Sequence, residues 1–145
     1  MCAKKYLQQI EKIKAQIAYK TALVEELRAK LTSISVPLSD HVQAYPSDKF
    51  AGAISKIYDM EKEIDADIIQ LTCTQKEIMT VLDQLDEPYI SLIYKRYFEL
   101  KSWEQIAREM NYSVRWLTGY VNHQPGIHIR ALKEVQRILD GQSLH

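Results

Sequence analysis

The chain has 145 residues, of which 46% are hydrophobic, enough for one compact domain or for a small domain joined to an extended helical element. Only four glycines and four prolines are present, and this scarcity favours long uninterrupted helices over a turn-rich β fold. Lysine plus arginine equals aspartate plus glutamate at 19 each, so net charge alone gives no support to nucleic-acid binding.

Several classes of protein are disfavoured by what the sequence lacks. Cys2 and Cys73 lie far apart and form no Cys or Cys/His spacing typical of a metal site, so no cofactor is expected. No apolar run approaches the length of a membrane span, and residues 1–15 are too polar for a secretory signal, which predicts a soluble cytoplasmic protein. An enzyme is not expected, because no glycine-rich phosphate loop, nucleophile with a placed base or carboxylate pair is evident.

The charges are distributed unevenly along the chain. Residues 1–58 carry nine basic and five acidic side chains, residues 59–87 carry two and nine, and residues 88–145 carry eight and five. A modestly basic C-terminal segment beside an acidic middle is typical of a DNA-binding domain joined to a solvated helical element.

An apolar residue recurs every seven positions over residues 4–31, which predicts a helix of about seven turns with one apolar stripe. Its main seam contains Ile10, Ile17, Val24 and Leu31, and its second seam contains Tyr6, Ile13 and Leu27 with Lys20 as the polar exception. A stripe of this kind needs a partner helix, because it otherwise leaves large aliphatic side chains in water.

Residues 32–48 interrupt this pattern and are predicted to be a linker, since Pro37 and Pro46 occur among polar residues. A second seven-residue period then predicts a helix of roughly 55 Å over residues 50–85, with Phe50, Ile57, Ile64, Leu71, Ile78 and Leu85 in its seam. The two helices could form an antiparallel coiled-coil hairpin, or their stripes could meet those of a second subunit. We expect a homodimer through these N-terminal helices.

Asp86, Glu87 and Pro88 mark the start of a second domain, predicted over residues 86–145 after a helical domain over residues 1–85. Its first amphipathic helix is predicted over residues 89–100, with Ile90, Ile93, Tyr94 and Tyr97 inward. A last helix is predicted over residues 127–140.

Residues 102–122, SWEQIAREMNYSVRWLTGYVN, carry the signals of two short helices with about three residues between them. Ser102 and Gln105 form a capping box, which predicts a helix start directly after Ser102. Asn111 tolerates the left-handed conformation and would end that helix, and the hydroxyl of Ser113 would cap the next one.

Apolar spacing in this stretch separates an inner face from an outer face. The predicted inner residues are Ile106, Met110, Leu117, Tyr120 and Val121, with the small Ala107 at the helix crossing. The outer face of the second helix then carries six candidates for contact with a DNA groove: Ser113, Val114, Arg115, Thr118, Gly119 and Asn122. Arginine can bond guanine, asparagine can bond adenine, and serine or threonine can bond bases or phosphates. Two helices packed in an ordinary bundle would show the same spacing.

The wider stretch over residues 85–139 resembles region four of bacterial sigma factors, including the extracytoplasmic type. In that family a helix ending in an arginine and an aromatic residue precedes a helix-turn-helix, as Arg96 and Tyr97 here precede SWEQIAREMNYS. A closer likeness is to small phage and prophage proteins of Gram-positive bacteria, which are grouped with the ArpU and RinA types of late-gene transcriptional regulator. It extends weakly into residues 50–78.

The resemblance implies an all-α protein, with an N-terminal helical hairpin or coiled coil and a sigma-region-four-like helix-turn-helix bundle, that binds double-stranded DNA and regulates phage or prophage transcription. The implied phosphate contacts come from Arg96, Lys101, Arg108 and the N-terminus of the second helix, and the implied base contacts from Arg115, Thr118 and Asn122. Two alternatives remain open: a small terminase-like DNA-packaging subunit, and a helical interaction protein that docks on host RNA polymerase.

This chain departs from the family pattern after Leu117. In those relatives the second helix continues without a break into a segment that is best matched here by residues 127–132, IHIRAL. The intervening residues contain Pro125 and Gly126, which must interrupt any helix because proline lacks an amide donor and glycine is entropically costly there.

Overall fold

The structure is a computed structural model that describes residues 2–35 and 48–143. Its helices are α1 (Ala3–Ser35), α2 (Asp48–Leu82), α3 (Tyr89–Ile93), α4 (Trp103–Met110), α5 (Val114–Thr118) and α6 (Ile127–Ser143). A π-helical turn, Tyr94–Phe98, follows α3 directly, and two short antiparallel strands, β1 (Tyr120–Val121) and β2 (Gln124–Pro125), separate α5 from α6. The predicted all-α class is confirmed. Helix α1 extends beyond its predicted end, and the rest of the predicted linker, residues 36–47, lies outside the described residues.

The chain divides into two compact units. One unit consists of Met1–Lys12 together with Thr72–His145, and the other consists of Ile13–Leu71. Helices α1 and α2 each contribute one end to the first unit and the remainder to the second.

Ion pairs connect the two long helices in the unit Ile13–Leu71. Lys20 Nζ lies 2.7 Å from Asp67 Oδ2, and Arg28 pairs with Glu61. Residue numbers rise along one helix as they fall along the other, so the segments run antiparallel. Lys20, the polar exception in the predicted seam, is thus neutralised by a carboxylate on α2.

The unit that contains the C-terminal helices has an apolar core around α6. Helices α3 and α5 both pack on α6, and α4 packs on α5. Fully buried side chains from these elements are Leu92, Ile93, Ile106, Leu117, Ala131 and Val135. The beginning of α1 belongs to the same core, because Leu7 and Ile10 are fully buried and the Ala3 N–H donates to Gln136 Oε1 at 2.8 Å.

The π-helical turn changes which residues of the 89–100 segment face inward. The Glu99 N–H donates to the Tyr94 carbonyl oxygen five residues earlier, at 3.1 Å, so this turn is wider than an α-helical turn. Leu92 and Ile93, which precede this turn, are fully buried, whereas Tyr94 at its start is 40% exposed. The predicted inward position of Tyr94 is therefore wrong, because the buried side of the segment passes through Leu92 and Ile93 and, at the end of the turn, through Tyr97 and Phe98.

The predicted limits of α4 and the predicted start of α5 are confirmed. The Ser102 hydroxyl accepts the Gln105 N–H at 3.2 Å, and the Ser113 hydroxyl accepts the Trp116 N–H at 3.0 Å. Asn111 ends α4 in the left-handed conformation with φ 60°. Ala107 is buried, and α4 packs on α5.

The predicted extent of the second short helix is wrong. Helix α5 ends at Thr118, and the chain then forms a β-hairpin in which Tyr120 is 64% exposed rather than packed inward. Asn122 and His123 have φ values of 52° and 64°, the combination typical of a type I′ turn. Gly119 and Asn122 therefore do not share a helical face with Arg115, because the backbone reverses direction after α5.

Candidate nucleic-acid interface

The segment that contains α5 and the β-hairpin carries no acidic side chain. Residues 110–133 contain the cations Arg115, Arg130 and Lys133 and no aspartate or glutamate. A phosphate backbone that approaches this stretch meets no carboxylate from it, so local charge favours an anionic partner although the whole chain is neutral.

Two of the predicted DNA-contacting arginines are accessible to an external partner. Arg108 at the end of α4 and Arg115 in α5 are both exposed. Neither forms a salt bridge with any residue that the structure describes. Arg115 lies two residues after Ser113, whose hydroxyl accepts the Trp116 N–H as the cap of α5, and directly follows Val114, which is half-buried.

Thr118 and Gly119 are less accessible than the prediction assumed. The Thr118 hydroxyl donates to the Val114 carbonyl oxygen at 3.0 Å, and its side chain is half-buried. Gly119 is half-buried, and a Cβ on it would lie 2.9 Å from the Arg115 carbonyl oxygen. The Thr118 hydroxyl is thus bonded within the protein, and Gly119 lies against the backbone of α5.

Arg96 and Lys101 are engaged within the protein. The Arg96 guanidinium lies 4.4 Å from the centre of the Trp103 ring, and its Nη1 donates to the Lys101 carbonyl oxygen at 2.9 Å. Lys101 Nζ lies 2.7 Å from Glu109 Oε1, which also accepts from Lys95 Nζ at 2.8 Å. Hydrogen bonds from Lys101 and Lys95 lower the pKa of Glu109 to about 2. Of the three side chains predicted to contact phosphate, only Arg108 has no internal partner among the described residues.

Exposed aromatic residues lie on this surface; Tyr112 and Trp116 were given no role from the sequence, and Tyr120 was assigned to the inner face. Tyr112 and Trp116 are 38% and 39% exposed, and Tyr120 follows in β1. The Arg130 guanidinium lies 6.0 Å from the centre of the Trp116 ring, and Arg130 Nε donates to the Pro125 carbonyl oxygen at 3.1 Å. The four-residue spacing of Tyr112 and Trp116 and the absence of acidic residues are the sequence signals that could have located this surface.

A polar cavity of about 390 Å³ lies near the beginning of α6 in the same compact unit. Its lining includes Thr118, Arg96 and Trp103, together with Tyr97 and His128. The Tyr97 hydroxyl and His128 Nε2 are 2.7 Å apart. Burial lowers the pKa of His128 to about 4, with the positive charges of Lys4 and Arg96 acting in the same direction, and burial raises the pKa of Tyr97 to about 12. At neutral pH the pair is therefore uncharged and joined by a hydrogen bond.

The neutral state of His128 predicts a loss of stability in mild acid. An unfolded histidine has a pKa of 6.5, whereas the folded one titrates at about 4, so the unfolded state binds more protons between these values. The contribution of neutral His128 to the free energy of unfolding is thus complete above pH 6.5 and is lost as the pH falls toward 4. After a discount for solvent screening, this loss is about 1 to 2 kcal/mol. Urea titrations at about pH 7 and about pH 4.5 measure this loss.

His128→Gln is expected to reduce the acid-induced loss of stability, because the amide does not titrate. His123→Gln serves as the control, since His123 is exposed in the turn of the β-hairpin and should leave the loss unchanged. Equal acid sensitivity of wild type and His128→Gln would show that His128 does not cause the loss of stability in acid.

Within residues 2–35 and 48–143, no group of three or more histidine, cysteine, aspartate or glutamate residues could hold a metal ion. Among the same residues, no helix combines the length and apolar character needed to cross a membrane. Searches with protein-family models, among curated proteins and among solved structures gave no match to this chain.

Proposed function

We propose that this protein is a sequence-specific double-stranded DNA-binding protein that regulates transcription of phage or prophage genes, with α4 and α5 as its helix-turn-helix. The observation that carries the proposal is Arg115, an exposed cation in α5 that forms no salt bridge with a described residue and lies within a stretch that holds no carboxylate. The sequence resemblance to sigma region four and to the ArpU and RinA regulators supports the same function. A cytoplasmic location follows from it.

In this proposal α5 enters the major groove and α4 crosses it close to the backbone, the usual arrangement of a helix-turn-helix. Arg115 bonds a guanine edge, while Arg108 and Ser113 contact phosphates. Three features of the structure support the arrangement: the tight turn at Asn111, the buried Ala107 and the exposure of Arg115.

The proposed regulator is a homodimer through its N-terminal helices. Large apolar side chains support this part, because Tyr19, Tyr58 and Ile69 in the unit Ile13–Leu71 are 71%, 58% and 65% exposed. Light scattering of the full chain measures the oligomeric state. A ring-forming stoichiometry would favour the small terminase alternative, and capture of RNA polymerase without DNA binding would favour the polymerase-docking alternative.

Arg115→Ala is expected to weaken binding to a selected DNA site by roughly 1 to 3 kcal/mol, because a bidentate contact with a base is lost. The probe is a short duplex recovered with the wild-type protein from a random-sequence library, and affinity is measured by fluorescence anisotropy at fixed salt. The preference for this duplex over a random-sequence duplex should fall in the same variant.

Arg137→Ala is the matched control, because Arg137 is also exposed but lies near the end of α6, with Nη2 at 2.9 Å from Glu134 Oε2. It should bind the selected duplex like wild type. Unchanged affinity of Arg115→Ala for that duplex would reject the role of Arg115 in base recognition.

A further inference from the structure

The β-hairpin between α5 and α6 presents a second polar surface. Asn122 and His123 form its turn, and both are exposed, as is Gln124 in β2. A cavity of about 180 Å³ lies between the hairpin and α5, with Trp116, Asn122 and Arg130 in its lining. Helix α5 and the hairpin are thus neighbouring walls of one surface that carries cations, amides and no carboxylate.

The hairpin is held firmly against the C-terminal end of α5. Gly126, directly after β2, approaches so closely that a Cβ there would lie 2.6 Å from the Leu117 carbonyl oxygen. Arg130 ties the same region to α6 through its hydrogen bond to Pro125, while its guanidinium lies over Trp116. Packing therefore sets the position of the hairpin turn relative to Arg115.

We propose that this β-hairpin is a second DNA-binding element, which contacts the sugar–phosphate backbone beside the groove that α5 enters. The inference rests on the proposed function, since it adds a contact to the same duplex. The side-chain N–H groups of Asn122 and His123 are suitable donors to phosphate oxygens. Because backbone contacts position a protein without reading sequence, Asn122 has a role different from the base contact that the family resemblance implied.

Asn122→Asp tests the contact by replacing an amide donor with an anion. Aspartate tolerates the positive φ of this position, so the hairpin is retained. Affinity for the selected duplex is expected to fall about tenfold, and affinity for a random-sequence duplex by the same factor, since a backbone contact serves both. Gln142→Glu makes the same change of charge near the far end of α6 and should alter either affinity by less than about twofold.

His123→Gly provides a second variant in which folding is protected, because it creates the Asn-Gly pair that type I′ turns favour. It removes the imidazole and is expected to weaken binding to both duplexes about threefold. Thermal unfolding followed by circular dichroism checks that each variant is folded.

Two results would overturn the inference. One is wild-type affinity in both hairpin variants, and the other is a loss confined to the selected duplex. The proposed function has a separate measurement, the preference of the wild-type protein for the selected duplex and the reduction of that preference in Arg115→Ala. Failure to recover any duplex with the wild-type protein would overturn both.

Discussion

Gly126→Ala is expected to lower the free energy of unfolding by about 3 kcal/mol, because the added methyl group meets backbone atoms that cannot rotate away. The new Cβ would lie 2.6 Å and 2.8 Å from the carbonyl oxygen and carbon of Leu117, and 2.9 Å from the carbonyl oxygen of Gly119. Relief requires separation of the hairpin from the end of α5. For a chain of this size the melting temperature should fall by roughly 10 °C.

Gly52→Ala is the matched control for this substitution. Gly52 lies inside α2, and a Cβ there would have no neighbour within 4 Å. Alanine should therefore raise the free energy of unfolding by about 1 kcal/mol through its higher helix propensity. If Gly126→Ala were as stable as wild type, the close contact between the hairpin and α5 would not exist in solution.

The same contact explains why the sequence predicted α4 more accurately than α5. Ser102, Gln105 and Asn111 act within one short segment, so their hydrogen bonds and backbone preferences can be deduced from spacing alone. The end of α5 depends on Gly126, which lies nine residues after Leu117 and acts through tertiary packing. Local helix propensity carries no information about the close contact between Gly126 and the Leu117 backbone.

The β-hairpin gave only a weak signal in the sequence. Its strands have two residues each, too few for an alternating apolar pattern, and its turn contains Asn122 and His123 instead of the common Asn-Gly pair. Pro125 and Gly126 correctly indicated a break in the helix. Their presence did not indicate that the chain would form a hairpin beside Trp116.

The ion pairs of Glu109 could not be predicted from the sequence, because its partners are not its neighbours along the chain. Glu109 accepts from Lys95 and Lys101, which precede it by 14 and 8 residues across the turn between the π-helical segment and α4. The sequence predicted that Lys101 contacts phosphate, but it could not show that Lys101 forms an ion pair with Glu109. Arg108, which directly precedes Glu109 in the sequence, is exposed and forms no salt bridge with a residue that the structure describes.

Leu117→Ala is expected to lower the free energy of unfolding by about 2 to 5 kcal/mol, because it removes a fully buried side chain and leaves a cavity between α5 and α6. Tyr120→Ala is the discriminating partner. In a helix that continued past Thr118, Tyr120 would lie one turn after Leu117 on the same buried face and its loss would cost a similar amount. In the structure Tyr120 is 64% exposed, so its replacement should change stability by less than about 0.5 kcal/mol.

Urea unfolding of both variants at neutral pH measures the difference directly. A large loss in Leu117→Ala with almost none in Tyr120→Ala is the result expected for a helix that ends at Thr118 and a hairpin that begins at Tyr120. Comparable losses in the two variants would mean that Tyr120 is buried beside Leu117. The surface next to Arg115 would then be a longer helix, and Asn122 would return to the face that the sequence assigned to it.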